Sequence, residues 1–164
     1  MAKIRLTPEF LGDLGELYFK HLCQQRDYGY IRLERIHRTL PNPILEFTHR
    51  FERIPVMLPE EILDEVTRVS KPTPVNGTNS YVFDFLTTKV YEPDSVKYPN
   101  KREPDDFCWV EIKTGNSKLS THQFEVANSC KVRFSLFRIT NAFLSPRQVE
   151  IDWAFDSLRG PPPG

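Results

Sequence analysis

The stretch DDFCWVEIKT, residues 105–114, constrains this chain more than any other. Side chains of a strand alternate between its two faces. Phe107, Trp109, Glu111 and Lys113 therefore share one side, and Cys108, Val110 and Ile112 share the other. Both sides are apolar over most of the run, so the strand is expected to lie centrally, covered on each face. A carboxylate and an ammonium two residues apart at the end of such a strand need a chemical reason to be there.

The chain around that strand has 164 residues, enough for one domain that buries its own core. With 39% hydrophobic and 27% charged residues it reads as a soluble globular protein and not a disordered one. No apolar run approaches the roughly 18–20 residues of a membrane span. The opening Met-Ala-Lys-Ile-Arg-Leu lacks the apolar core of a signal peptide. Cys23, Cys108 and Cys130 are scattered without metal-ligand spacing, as expected of reduced thiols in a cytoplasmic protein. The four histidines also lack partners at ligand spacing, which argues against zinc.

Net charge is zero, but it is unevenly distributed. Residues 57–112 hold 11 acidic and 6 basic side chains, a balance of −5. Residues 113–147 hold six basic (Lys113, Lys118, Lys131, Arg133, Arg138, Arg147) and one acidic (Glu125), a balance of +5. Such a segment either lines a phosphate-facing surface or forms an ordinary solvated face.

Along the chain, Thr7, Pro8 and Glu9 mark a helix start. Phe10, Leu11, Leu14, Leu17, Tyr18, His21 and Leu22 follow at helical spacing, with Glu16 off that face. Gly12 and Gly15 cost such a helix about 1 kcal/mol each, a cost that often marks close approach of another backbone or a ligand. YIRLERIHR and ILEFTHRFERIPV read as strands around a turn at LPNP, and PEEILDEVTRV as a short amphipathic helix. KPTPVNGTNS reads as a loop, and YVFDFLTTKVY as a strand with Asp84 opposite in face to Phe83 and Phe85. A long polar loop, EPDSVKYPNKREPDD, precedes the central strand. A helix near THQFEVANSC, a strand VRFSLFRIT and a closing strand VEIDWAF follow. The order predicts an α/β fold, a mixed sheet with helices packed on it.

Three acids stand out: Glu16 on the first helix, Asp84 within a strand and Glu111 on the next. An acid within an apolar strand is costly unless paired or coordinated. Neighbouring strands can bring Asp84 and Glu111 together, where they repel unless a cation sits between them. Two carboxylates with water and a phosphate oxygen suit Mg²⁺, and Lys113 can offset charge building on a phosphate. The pattern points to metal-assisted phosphodiester hydrolysis.

VEIKTG, with an aspartate on the preceding strand and a GELYFKHL helix upstream, resembles the PD-(D/E)xK nuclease superfamily, the restriction-endonuclease-like fold. The resemblance covers residues 8–26 and 81–140, and within the superfamily is similar to domains of prokaryotic restriction and DNA-processing systems. It implies a single nuclease-like domain over residues 1–158, with an inserted hairpin and helix at about 37–79 and a flexible tail at 159–164. It further implies that Asp84, Glu111 and the carbonyl of Ile112 bind Mg²⁺, or Mn²⁺, and that Lys113 is the catalytic lysine. Glu16 is then an accessory acid, or else a surface helix acid. Gln123 matches a glutamine close to the phosphate or the lysine, yet STHQ is also a capping box with Ser120 as N-cap. The proline-aspartate pair is absent at Asp84 and occurs at Pro104-Asp105, too close to Glu111 for a hairpin between them, so Asp84 is the preferred ligand. DNA is the expected partner, its phosphates beside Lys118, Lys131, Arg133 and Arg138, with a second copy or another protein supplying specificity. The alternative is an inactive nucleic-acid-binding or assembly module of the same fold.

Overall fold

The computed structural model describes residues 4–91, 102–144 and 149–159. A short strand, β1 (Ile4–Arg5), leads into helix α1 (Pro8–Gln25). Thr7 has the extended backbone of a cap residue, but its side chain makes no capping hydrogen bond. The buried face of α1 also differs from the expected one. It consists of Leu11, Gly15, Phe19, Leu22 and Cys23, while Phe10 and Leu17 are 63% and 66% exposed. Gly15 explains the rotation. A Cβ there would lie 3.2 Å from Ile112 Cγ2, so the helix docks through its glycine and turns Leu17 to solvent. Gly12 meets nothing within 4 Å and borders open space instead.

Strand β2 (Tyr28–Arg32) ends where YIRLERIHR was expected to continue extended, and residues Leu33–Thr39 form helix α2. Leu33 and Ile36, three apart, bury one side of that helix, and Glu34 pairs with Arg38 one turn on. The expected hairpin around LPNP is replaced by one within the second segment, β3 (Ile44–His49) against β4 (Glu52–Met57). Arg50 and Phe51 reverse the chain at φ 47° and 68°, the paired left-handed angles of a tight hairpin turn. Helix α3 (Glu60–Val69) buries Ile62, Val66 and Val69 as its pattern requires. The stretch read as a loop holds a small hairpin, β5 (Thr73–Val75) and β6 (Thr78–Ser80), closed by Asn76-Gly77 at φ 49° and 78°.

Strand β7 (Phe85–Lys89) is shorter than expected, because the chain bends at Asp84. The bend breaks the alternation: Phe83 packs with Leu86 in one core and Phe85 lies in the other. A 3-10 turn, Pro104–Asp106, precedes β8 (Phe107–Thr114). Then follow α4 (Thr121–Ser129), β9 (Arg133–Leu144) and β10 (Val149–Arg159), which runs past the expected end of its strand. Most of the polar loop (92–101), Arg147 and tail residues 160–164 lie outside the described residues.

All strands except β5 and β6 join one mixed sheet, in the order β1-β9-β8-β7-β2-β3-β4 with β10 also on β9. Strands β7 and β8 are antiparallel, and β8–α4–β9 is the parallel crossover unit. As expected, β8 is central and feeds two cores. Phe107 and Trp109 pack with α3, α4, β3 and β4, while Val110 joins Leu11, Phe19 and Leu22 of α1 with Phe137. Among the described residues no helix is long and apolar enough to cross a membrane.

Candidate active site

The pairing of Phe85 with Val110 sets Asp84 opposite Glu111 at the end of the β7–β8 ladder. Where β7 bends away, the Ile112 N–H would be left without a ladder acceptor. Asp84 Oδ2 accepts it at 2.8 Å. A strand residue sends its N–H and C=O to the same edge, so the Ile112 carbonyl is directed to this gap too. The bend thus opens one place at which a carboxylate and a main-chain carbonyl face outward together.

Glu111 is 6% exposed. Burial first, then its hydrogen bond to Asp84 and that carboxylate's charge, push its carboxyl up to about 10, against a smaller opposing pull from Lys113. Without a cation Glu111 therefore keeps its proton at neutral pH, because burial and a neighbouring carboxylate both disfavour its charged form. Gln123 Nε2 donates to Glu111 Oε2 at 2.6 Å and to the Val82 carbonyl at 2.9 Å. Its Oε1 accepts from the Ser120 N–H at 3.0 Å, and Ser120 Oγ accepts from the Gln123 N–H at 3.1 Å. The two readings of Gln123 are therefore both met: the capping box fixes the side chain that holds Glu111.

Asp84, Ile112 and Lys113 line a cavity of about 210 Å³ together with Gly12 and Glu16. Glu111 is not among the residues that line this cavity; it meets Gln123 of α4. Glu16 reaches this cavity with its carboxylate paired to Arg32 and to Lys20 Nζ at 3.2 Å. Arg32 in turn lies over the Phe85 ring, 4.8 Å from its centroid. The reading of the sequence missed Arg32 and Lys20. Lys20 carried a signal, standing one helical turn after Glu16; Arg32, at the end of β2, carried none.

Strand β9 settles the basic residues. Lys113 stands beside Arg138 in the parallel register, and Arg138 Nη1 donates to the Gly115 carbonyl at 2.9 Å. Lys118 and Arg138 share a second cavity, about 420 Å³, with Phe124. Arg133 pairs instead with Cys108 at the start of β8, and Lys131 precedes it. Arg133 and Arg138 are five steps apart along the strand, roughly 16 Å. Lys131 and Arg133 are therefore not brought to the site, because a parallel strand begins at the far end of its neighbour. Asp105 lies at that far end too, in the turn before β8, leaving Asp84 as the aspartate beside Glu111.

The donor set fits a small hard cation. It is all oxygen: two carboxyl groups and one main-chain carbonyl, the ligand types Mg²⁺ prefers. Among the described residues no cluster of three or more His, Cys, Asp or Glu side chains is placed to hold a metal. Comparison with family models, with curated proteins and with solved structures finds no match to this chain.

Proposed function

We propose that this chain is a Mg²⁺-dependent DNA endonuclease of the restriction-endonuclease-like fold. The observation that carries the reading is the Asp84–Glu111 pair at the bend in β7, Asp84 half-buried and Glu111 buried and pushed up to about 10, with Lys113 two residues on. Such a pair is destabilised by its own charge and is stabilised by a divalent cation.

Asp84, Glu111 and the Ile112 carbonyl would hold Mg²⁺, which when bound supplies a Lewis acid and lowers the pKa of a water molecule. The protein does the positioning. The Ile112 N–H fixes one oxygen of Asp84, and Gln123 fixes one oxygen of Glu111. Lys113 makes no ion pair among the described residues, and its ammonium in the cavity beside Asp84 offsets charge growing on a phosphate. Glu16, braced by Arg32 and Lys20, orients water on the opposite wall. Lys118 and Arg138, near Lys113, take neighbouring phosphates.

A second reading, an inactive nucleic-acid-binding module, draws on one fact. Asp84 and Gln123 both have structural tasks, capping Ile112 and α4, that would keep them without catalysis. DNA affinity measured with Ca²⁺ and with EDTA separates the two. A nuclease binds more tightly with Ca²⁺, and Asp84→Asn removes that gain; a module is indifferent to both.

A further inference from the structure

The β5–β6 hairpin lies outside the family resemblance, yet it borders a groove that Gln123, the partner of Glu111, also lines. Every residue from Thr73 to Ser80 is exposed, and among the described residues the two strands pair only with each other. Between this hairpin and the start of α4 runs a groove of about 640 Å³. Its lining includes Arg68, Lys71, Tyr81, His122 and Gln123. Gln123 belongs to both places, since its amide holds Glu111. Gln123 therefore joins the groove to the candidate catalytic pair, and Val82, two residues before Asp84, lines it as well.

Charge is sorted here against the local trend. Residues 57–112 carry 11 acids against 6 bases, but among the described residues no acid lines the groove. On α3, Glu65 turns inward, where it accepts from the N–H groups of Lys131 and Val132 at 2.6 and 2.9 Å. Arg68 and Lys71 are exposed and make no ion pair among the described residues. Beside them lie Pro72, Pro74, Val75 and the half-buried ring of Tyr81, with the hydroxyls of Thr73, Ser80 and Ser120 between. Cations that track phosphates beside apolar and aromatic surface suit unstacked bases, which a duplex keeps hidden.

We infer that the groove between the β5–β6 hairpin and α4 holds a single-stranded stretch of nucleic acid, so that the substrate is DNA with an unpaired segment beside the cut. The inference rests on the nuclease reading for the cut alone; the binding it describes is measurable without cleavage. The test is fluorescence anisotropy of a labelled single strand, a blunt duplex and a duplex with a single-stranded extension, with Ca²⁺, at several salt concentrations. Wild type should bind the single strand and the extended duplex more tightly than the blunt duplex. Arg68→Ala/Lys71→Ala, at two exposed positions, should lose that preference. Its log–log salt slope on the single strand should fall by about 1.4, the loss of two phosphate contacts, or about sevenfold in affinity change between 50 and 200 mM salt. A hairpin replaced by a short glycine linker should give the same loss of preference. An unchanged preference and slope in the double variant would overturn the groove, whether or not the chain cleaves DNA. A preference that the double variant abolishes, in a chain that cleaves nothing with Mg²⁺, would keep the groove and remove the nuclease.

Discussion

Replacing Glu111 with glutamine should make the metal-free protein more stable, by an amount that grows with pH. In the folded chain burial and Asp84 hold the Glu111 carboxyl at about 10, against an ordinary value of 4.5. Between those values the native state keeps a proton that the unfolded chain has released. Stability then falls as pH rises through this window, by at most about 1.4 kcal/mol per unit. From pH 5 to pH 8 the ceiling is about 4 kcal/mol; relaxation around a buried charge reduces it to on the order of 2–4 kcal/mol. For a chain of this length that is roughly 5–15 °C in Tm. Glutamine reproduces the protonated carboxyl: its carbonyl accepts from Gln123 and its amide donates to Asp84. Thermal unfolding in EDTA at pH 5, 6.5 and 8 should show this slope in wild type and its loss in Glu111→Gln. Mg²⁺ should raise the wild-type Tm at pH 8, since it binds the native state alone, and raise the variant much less. Equal slopes in the two proteins, or a wild-type Tm that rises from pH 5 to 8, would refute the reasoning.

Lys113→Ala should lower single-turnover cleavage about 100-fold or more while shifting Tm by no more than about 2 °C, because the lysine is only partly buried; near wild-type cleavage would exclude it from the chemistry. Glu65→Ala should cost on the order of 2–4 kcal/mol in urea unfolding, since it leaves the Lys131 and Val132 N–H groups without their acceptor. A loss below about 0.5 kcal/mol would mean that water replaces the carboxylate.

The central strand was legible because its two faces are both apolar, a pattern that only a covered strand satisfies, and Phe107 and Val110 do enter different cores. The capping box of α4 was equally legible, its residues being three apart in sequence. Where a tertiary contact decided, the sequence misled. Helix α1 offered two apolar stripes, and the close seat of Gly15 on Ile112 chose the one without Leu17. The bend at Asp84 was hidden because YVFDFL alternates as a strand should; the departure is stabilised by a hydrogen bond to Ile112, 28 residues away. Asn76-Gly77 was a hairpin signal passed over as a loop, because its flanking residues are polar and exposed. The basic segment looked continuous in sequence, but a parallel crossover divides it between the two ends of the sheet.

The proposal that Asp84 and Glu111 serve a metal-dependent cut is tested most directly by incubating wild type and Asp84→Asn with single-stranded, duplex and branched DNA. Each reaction is run with Mg²⁺, with Mn²⁺ and with EDTA, and products are resolved on a denaturing gel. The account predicts cleavage of at least one form by wild type with Mg²⁺ or Mn²⁺, none in EDTA, and none by Asp84→Asn in either metal. Cleavage that persists in EDTA or in Asp84→Asn, or no cleavage of any form by wild type, would contradict it.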